Sequence, residues 1–344
     1  MSRATDLLAG GALAGWMLMK LMRERESFSF QGKTVLVTGG SRGLGLVLAR
    51  DSAAAGAKVA ICGRDPDALE RARAALERIG AVVVAVPADI ADPESVRLLV
   101  GTVTERLGPV DVLINNAGVI EVGPAETMSV ADYEEAMDTN FWGMVYPTLS
   151  ILPSMRARGG GRIVNITSIG GKLGIPHLLP YSASKFAAMG FSQGLRAEVA
   201  QDGIAVTTVI PGLMRTGSPR NAIFRGKHRA EYAWFSIADS LPGLSVSANE
   251  ASRRILSAVR RGDAEVLFPV VARLAVIGSA VAPNVTAAAL HLAARLLPGA
   301  PSRRTGRKRG KDSQSGFSPS WLSRRGDEAA RKYNQVAPAE GSRA

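Results

Sequence analysis

A chain of 344 residues, 46% apolar and 21% charged, holds enough apolar material for a folded body of one or two domains, which excludes a disordered polymer. A single cysteine, Cys62, excludes an internal disulfide, and the scattered His177, His228 and His291 have no metal-ligand spacing, so no metal is expected. The net charge of +12 is uneven: eleven Lys/Arg against four Asp/Glu from Pro301 to Ala344 put +7 in that stretch. The body is therefore only mildly basic, and no nucleic acid is expected as a partner.

Residues 1–27 carry an apolar run, Leu7–Met19, followed by the mixed charges Lys20, Arg23, Glu24, Arg25 and Glu26. Thirteen uncharged residues fall short of the roughly 20 a spanning helix needs. Three readings stay open: an interfacial membrane anchor, a helix docked on the body, and a helix pairing subunits. Under the first, the basic residues that follow keep the body cytoplasmic, on the cytoplasmic face of a membrane.

Residues 30–265 alternate short β-branched runs with helix-length stretches. Lys33–Val37, Lys58–Cys62, Val82–Val86, Val110–Ile114, Arg162–Ile166 and Ala205–Ile210 are apolar on both faces, as buried parallel strands are. Asp65-Pro66 and Asp92-Pro93 place proline at a first helical position. This alternation predicts an α/β fold, a doubly wound parallel sheet of the Rossmann kind.

In 266–300, Val270, Leu274, Ile277 and Val281 recur at helical spacing, Pro283 breaks the pattern, and Asn284 would cap a second helix with Leu290 and Leu297. Arg273, His291 and Arg295 argue against a simple span. The pair is expected to cover the active site, a second subunit or a membrane surface. Residues 301–344 are polar and Ser/Gly/Arg-rich, so a mobile tail is expected, able to meet anionic lipid.

The first strand runs through TGGSRGLG, Thr38 to Gly45, into a helix. In that setting Gly39 permits a tight turn, Gly43 lets the backbone approach a pyrophosphate, and Gly45 allows close packing of helix on strand. The helix N-terminus then offers unpaired N–H groups to the anion. At the end of the second strand an acid would select NAD through the ribose 2′-hydroxyl, but Gly63 stands there, followed by Arg64, with Arg42 inside the loop. Two guanidiniums suit a 2′-phosphate and predict NADP(H) over NAD(H).

From here the chain resembles the short-chain dehydrogenase/reductase family over roughly residues 30–265. The loop matches the family's TGxxxGxG pattern, bringing Ser41 and Leu44 into the expected cofactor site. Asp89, followed by Ile90 in PADI, matches the residue that meets the adenine. NNAG at 115–118 brings Asn116, Ala117 and Gly118 to the cofactor cleft, and PGLMRT at 211–216 brings Pro211, Gly212 and Thr216. Asn140 in DTNFWG, Ser168 in NITSIGG, and Tyr181 and Lys185 in YSASK match the catalytic set, the last two also touching the cofactor.

The resemblance implies an oxidoreductase that interconverts a carbonyl and a secondary alcohol. Tyr181 would serve as acid/base, Ser168 would hold the substrate oxygen, Lys185 would grip the nicotinamide ribose and Asn140 would position a water. Tyr181 and Lys185 are four apart and share a helix face, so an ammonium there is expected to lower the phenol's pKa. The apolar segments Leu173-Gly174-Ile175-Pro176, Leu178-Leu179 and Met214, Ile223, Phe224, Trp234 and Phe235 predict a lid over a lipophilic substrate. The competing readings are a fatty-acyl or polyketide ketoreductase and a catalytically idle NADP-binding scaffold. A homo-oligomer is also expected.

Overall fold

The computed structural model describes residues 28–301, 306–316, 318, 320 and 323–336. Leu7–Met19 lies outside them.

Each apolar run became a strand of one parallel sheet. Its members are β1 (Thr34–Thr38), β2 (Lys58–Gly63), β3 (Val83–Pro87), β4 (Val112–Asn115), β6 (Gly161–Ile166), β7 (Ile204–Pro211) and β11 (Glu265–Phe268). The remaining short strands are β5 (Glu121–Val122), β8 (Leu213–Arg215), β9 (Ile223–Phe224), β10 (Ser245–Ser247) and β12 (Lys308–Arg309). The large sheet runs β11-β7-β6-β4-β1-β2-β3. Val35, Leu36 and Val37 are fully buried, because helices cover both faces of the sheet. Successive crossovers leave β1 in opposite directions, to β2 on one side and β4 on the other. The crevice outside the carboxyl ends of those two strands is where such a sheet receives a ligand.

The seventh strand was not anticipated. It pairs Glu265 with Thr208 through Phe268 with Pro211 and crosses the expected boundary at 265/266. Four residues that open on an exposed glutamate and stop at Pro269 are too few to form a pattern.

Helix α1 (Gly43–Ala54) follows the glycine loop. Helices α2 (Pro66–Glu77) and α3 (Pro93–Leu107) start as expected: Asp65 accepts from Ala68 N, and Asp92 from Glu94 N and Ser95 N. Further along come α4 (Val130–Met137), α5 (Gly143–Ala157), α6 (Leu179–Val199), α7 (His228–Ser240) and α8 (Ala248–Arg261). The expected helix pair is α9 (Val270–Val281) and α10 (Pro283–Leu296). Ala282, not Asn284, is the N-cap of α10, because Pro283 already takes the first helical position, and Leu297 falls past its end.

The described part of the tail differs from expectation. β12 pairs antiparallel with β9, and α11 (Arg324–Lys332) packs Ala329 and Tyr333 against Val47 and Ala248. Its low apolar content hid this, because much of its attachment is hydrogen bonding to main-chain groups. Among the described residues no helix is long and apolar enough to cross a membrane.

Candidate active site

The glycine loop is built as its spacing requires. Gly39 has φ +63°, and a Cβ there would come within 2.9 Å of the Ala117 backbone. A Cβ on Gly45 would lie 2.3 Å from the Gly39 carbonyl oxygen, so α1 seats on the end of β1 only without a side chain. Thr38, which the sequence reading did not single out, fastens the loop to the NNAG turn. Its hydroxyl accepts from Asn116 N (3.0 Å) and Ala117 N (3.1 Å), while Asn116 Nδ2 donates to the Thr38 and Gly39 carbonyls at 3.0 and 3.3 Å. At the start of α1 the extended Arg42 supplies no side-chain cap. The N–H groups of Leu44 and Gly45 meet no protein acceptor among the described residues, as an anion site needs.

At the far end of the loop, Gly63 closes β2. Arg42 pairs with Asp65 (3.0 Å) and donates to Asn221 Oδ1 (3.3 Å). The ion pair is about a third exposed on the arginine side and nearly half on the aspartate side, so it binds Arg42 only weakly. The Asp65 carboxyl is held below its ordinary range chiefly by the Ala68 N–H, with Arg42 adding to the effect. Arg64 is exposed. Asp89 closes its own turn, Oδ1 accepting from Ala91 N at 3.0 Å, and with Ile90 lines the cleft.

The reactive groups sit where β6 ends and α6 passes. Ser168 Oγ accepts from Gly170 N at 3.0 Å, and Tyr181 and Lys185 project from successive turns of α6. Lys185 is buried, its Nζ donating to the Ile166 carbonyl at 3.1 Å and lying 5.8 Å from the centre of the Tyr181 ring. Here the expected phenol shift is reversed. Burial raises the Tyr181 pKa, the Ser168 hydroxyl only partly opposing it, and burial lowers that of Lys185 to about 8. At both groups the loss of contact with water outweighs the other influences.

Asn140 does not line the cleft. It lies in a π-helical turn, Asp138–Trp142, and its amide is fully engaged. Oδ1 accepts from Val119 N at 3.0 Å, while Nδ2 donates to the Val119 carbonyl at 3.1 Å and to Ser184 Oγ at 2.9 Å. The side chain therefore clamps the NNAG turn to α6 beside Lys185. Gly118 makes room for it, since a Cβ there would meet Asn140 Oδ1 at 2.7 Å.

A cleft of about 1200 Å³ joins the parts. Its lining gathers Gly39, Ser41–Leu44, Arg64, Asp89, Ile90, Asn116–Gly118, Ser168, Tyr181, Lys185, Pro211, Gly212 and Thr216. Gly45, behind the loop, stays out of it. Apolar side chains also line the cleft, Ile175, Leu178, Met214, Ile223, Trp234, Phe235, Leu244 and, from α9, Val271, Ala272 and Ala275, together with the polar Asn221, Asp239, Arg307 and Arg309. Of the expected lid residues Phe224 departs, fully buried edge-on to Tyr232. Leu173, Gly174, Pro176 and Leu179 also lie off the lining. Trp234 Nε1 donates to the buried Glu231 at 2.7 Å, and the same carboxylate meets His177 Nδ1 at 3.0 Å. Asp239, on the cleft, is buried with its pKa raised to about 8.

Behind the cleft runs a buried polar chain that sequence reasoning missed. Asn115 Nδ2 donates to Asn165 Oδ1 (2.9 Å), Asn165 Nδ2 to Ser192 Oγ (3.0 Å), and Ser192 meets Thr208 (2.7 Å). Its signal was asparagine within otherwise apolar strands, at 115 and 165.

A family model described as short chain dehydrogenase matches residues 33–223. A dehydrogenase/reductase SDR family protein 7-like of Anopheles gambiae is 37% identical over 275 residues, covering 78% of this chain and 85% of that one. An actinorhodin polyketide ketoreductase solved with NADPH superposes with TM-score 0.62 at 32% identity, over 68% of this chain and 95% of that one. A short chain dehydrogenase/reductase from Burkholderia phymatum, in complex with NAD, shares the fold with TM-score 0.66 at 24% identity, over 74% and 96% of the two chains.

Proposed function

Because the chain belongs to the short chain dehydrogenase family, we propose that it is an NADP(H)-dependent oxidoreductase acting on a lipophilic ketone or secondary alcohol, with Tyr181 as acid/base. The oxidoreductase class, acting between CH–OH and C=O, is that of the family. The observation that carries the reading is the convergence of Ser168, Tyr181 and Lys185 on one cleft that apolar side chains also line.

The residues fit a nicotinamide dinucleotide: Gly39, where a Cβ would strike the Ala117 backbone, and the open amide of Leu44 on the cleft suit a pyrophosphate. Such a cofactor supplies or accepts the hydride. Ser41, Arg42 and Gly43 of the loop, Asp89, Ile90, Asn116, Ala117, Gly118, Pro211, Gly212 and Thr216 line the same cleft and would hold such a cofactor, Asp89 and Ile90 toward its adenine and Pro211, Gly212 and Thr216 toward its nicotinamide. NADP(H) is favoured by the absence of an acid at Gly63 and by Arg42 and Arg64 beside it.

Ser168 Oγ holds the substrate oxygen. In reduction the Tyr181 hydroxyl gives that oxygen a proton, and in oxidation it takes one back. Lys185 would hold the cofactor's ribose and support the phenol's proton exchange. Asn140 serves by clamping its neighbours, with its side-chain amide already committed.

The lipophilic substrate is supported by the apolar lining, and α9 and α10 give it a source. Val271, Ala272 and Ala275 line the cleft, Val271 also half exposed, and Val270, Leu274, Ile277, Val281, Val285, Leu292 and Leu296 are exposed. From residue 266 to 311 there are eight Lys/Arg and no Asp/Glu. An exposed apolar helix pair within an acid-free basic segment fits an anionic membrane surface. The ketoreductase reading draws on the likeness to the actinorhodin enzyme and differs only in substrate.

The test is a panel of apolar and polar ketones and alcohols, read by the absorbance of the reduced nicotinamide. NADPH oxidation with apolar ketones is expected. Tight NADPH binding without turnover of any member overturns the enzyme reading in favour of an idle scaffold.

A further inference from the structure

Three consecutive residues beyond α11, Tyr333, Asn334 and Gln335, meet the glycine loop nearly 300 positions away, and Gln335 lines the cleft. The Tyr333 carbonyl accepts from Gly43 N at 2.9 Å, the first amide of α1. This leaves the next amide, that of Leu44 on the cleft, to an anion. Asn334, at φ +58°, turns its amide inward: Nδ2 donates to the Ser41 carbonyl (2.8 Å) and the Ala68 carbonyl (2.9 Å), and Oδ1 accepts from Arg71 Nε (3.0 Å). One side chain thus staples the glycine loop to α2, the two segments that flank Arg42 and Arg64.

Gln335 reaches further. Its Nε2 donates to the Thr216 carbonyl at 3.3 Å, and its Oε1 accepts from Asn221 Nδ2 at 2.6 Å. Asn221 Oδ1 in turn accepts from Arg42 Nη1 at 3.3 Å. Because the partly exposed Asp65 pair restrains Arg42 only weakly, the two neutral amides Gln335 and Asn221 form its second anchor. Gly43 accommodates the strap: a Cβ there would fall 2.8 Å from Gln335 Nε2, and its φ is +57°.

We propose that Tyr333–Gln335 is a strap completing the cofactor site, in which Gln335, acting through Asn221, is a positioning residue that aims Arg42 at the 2′-phosphate of NADP(H). The strap's ends are fixed independently of any ligand. Tyr333 is buried against Val47 and Ala248 and its hydroxyl donates to Asn249 Oδ1 at 3.3 Å. The pose of Arg42 is thereby set before the cofactor arrives, which lowers the ordering cost of binding.

This inference rests on the NADP(H) reading, and the experiment separates the two. Dissociation constants for NADPH and NADH are measured on the full-length chain by fluorescence of the bound nicotinamide. Proteins compared are the unaltered chain, Gln335→Ala, Asn334→Ala and Arg42→Ala, each checked for an unchanged melting temperature. Gln335→Ala should weaken NADPH about fivefold to tenfold, as loss of one hydrogen-bonded link to a charged group does, and NADH less than about twofold. Asn334→Ala, which cuts the staple, should weaken both cofactors alike. Equal weakening of both by Gln335→Ala, no change, or tighter binding overturns the proposal. Equal affinity of the unaltered chain for NADPH and NADH overturns the NADP(H) reading itself. A preference that Arg42→Ala abolishes and Gln335→Ala preserves overturns only the role given to the strap.

Discussion

Lys185 Nζ donates to the main-chain carbonyl oxygen of Ile166, 3.1 Å away, and no carboxylate among the described residues pairs with it. A neutral acceptor does little to offset the loss of hydration, so the ammonium sits close to losing its proton in weak base, and burial raises the neighbouring phenol.

Tyr181→Phe is expected to lower kcat by about 10²- to 10⁴-fold while leaving the NADPH dissociation constant nearly unchanged, since it removes a proton donor and little contact surface. Lys185→Ala should impair both. Single-turnover rates and equilibrium binding on the same preparations separate these effects, and near-parental turnover by Tyr181→Phe rules out the mechanism.

Gly63→Asp combined with Arg64→Ala should move preference toward NADH by replacing phosphate donors with a ribose acceptor. A Cβ at position 63 would sit 3.2 Å from Ser41 Oγ, so the hydroxyl must yield by a few tenths of an ångström and some total affinity is lost. The ratio of kcat/KM for the two cofactors is the measurement.

Asp239 gives the stability a pH dependence. Its carboxyl, ordinarily near 3.8, is raised to about 8, chiefly by burial, so between those values the folded state holds a proton that the unfolded chain has released. Stability from this group is complete below about pH 4 and lost as pH rises through about 8. Glu121, buried near Glu135 and Asp132 and raised from 4.5 to about 8, acts in the same direction. Asp239→Asn should flatten the fall in melting temperature between about pH 5 and about pH 8, as the linkage of proton binding to folding requires. An unaltered slope would show that Asp239 ionises freely.

Leu274→Ser with Ile277→Ser should reduce co-sedimentation with vesicles containing phosphatidylserine, and added salt should release part of the bound parent protein. A parent chain that stays in the supernatant overturns the membrane reading. Concentration-dependent dimers lost in the double variant would assign the exposed faces to a second copy.

The sheet was legible because buried parallel strands must be apolar on both faces, and six such runs became strands within two residues of their expected ends. The loop and YSASK were legible because glycine and a four-residue spacing are local requirements. Electrostatics were not: the direction of the Tyr181 shift depends on how deeply two neighbours are buried, which spacing does not report. Nor was the tail, whose attachment rests on single amides such as Asn334 meeting carbonyls far away in the chain. Exposure on α9 escaped as well, because Leu274 and Ile277 at helical spacing read alike whether they face inward or outward.

The carboxylate of Glu231 has a consequence for ligand size. It is fully buried, with His177, just ahead of α6, and the Trp234 indole on the cleft as its donors. A ligand thick enough to push the indole aside must break that 2.7 Å bond and leave a buried carboxylate short of a donor, a penalty of roughly 1–3 kcal/mol. Slender or planar molecules would incur no such penalty. The indole thus acts as a caliper, and substituting it with phenylalanine would widen the range of admissible ligands at the bulky end first.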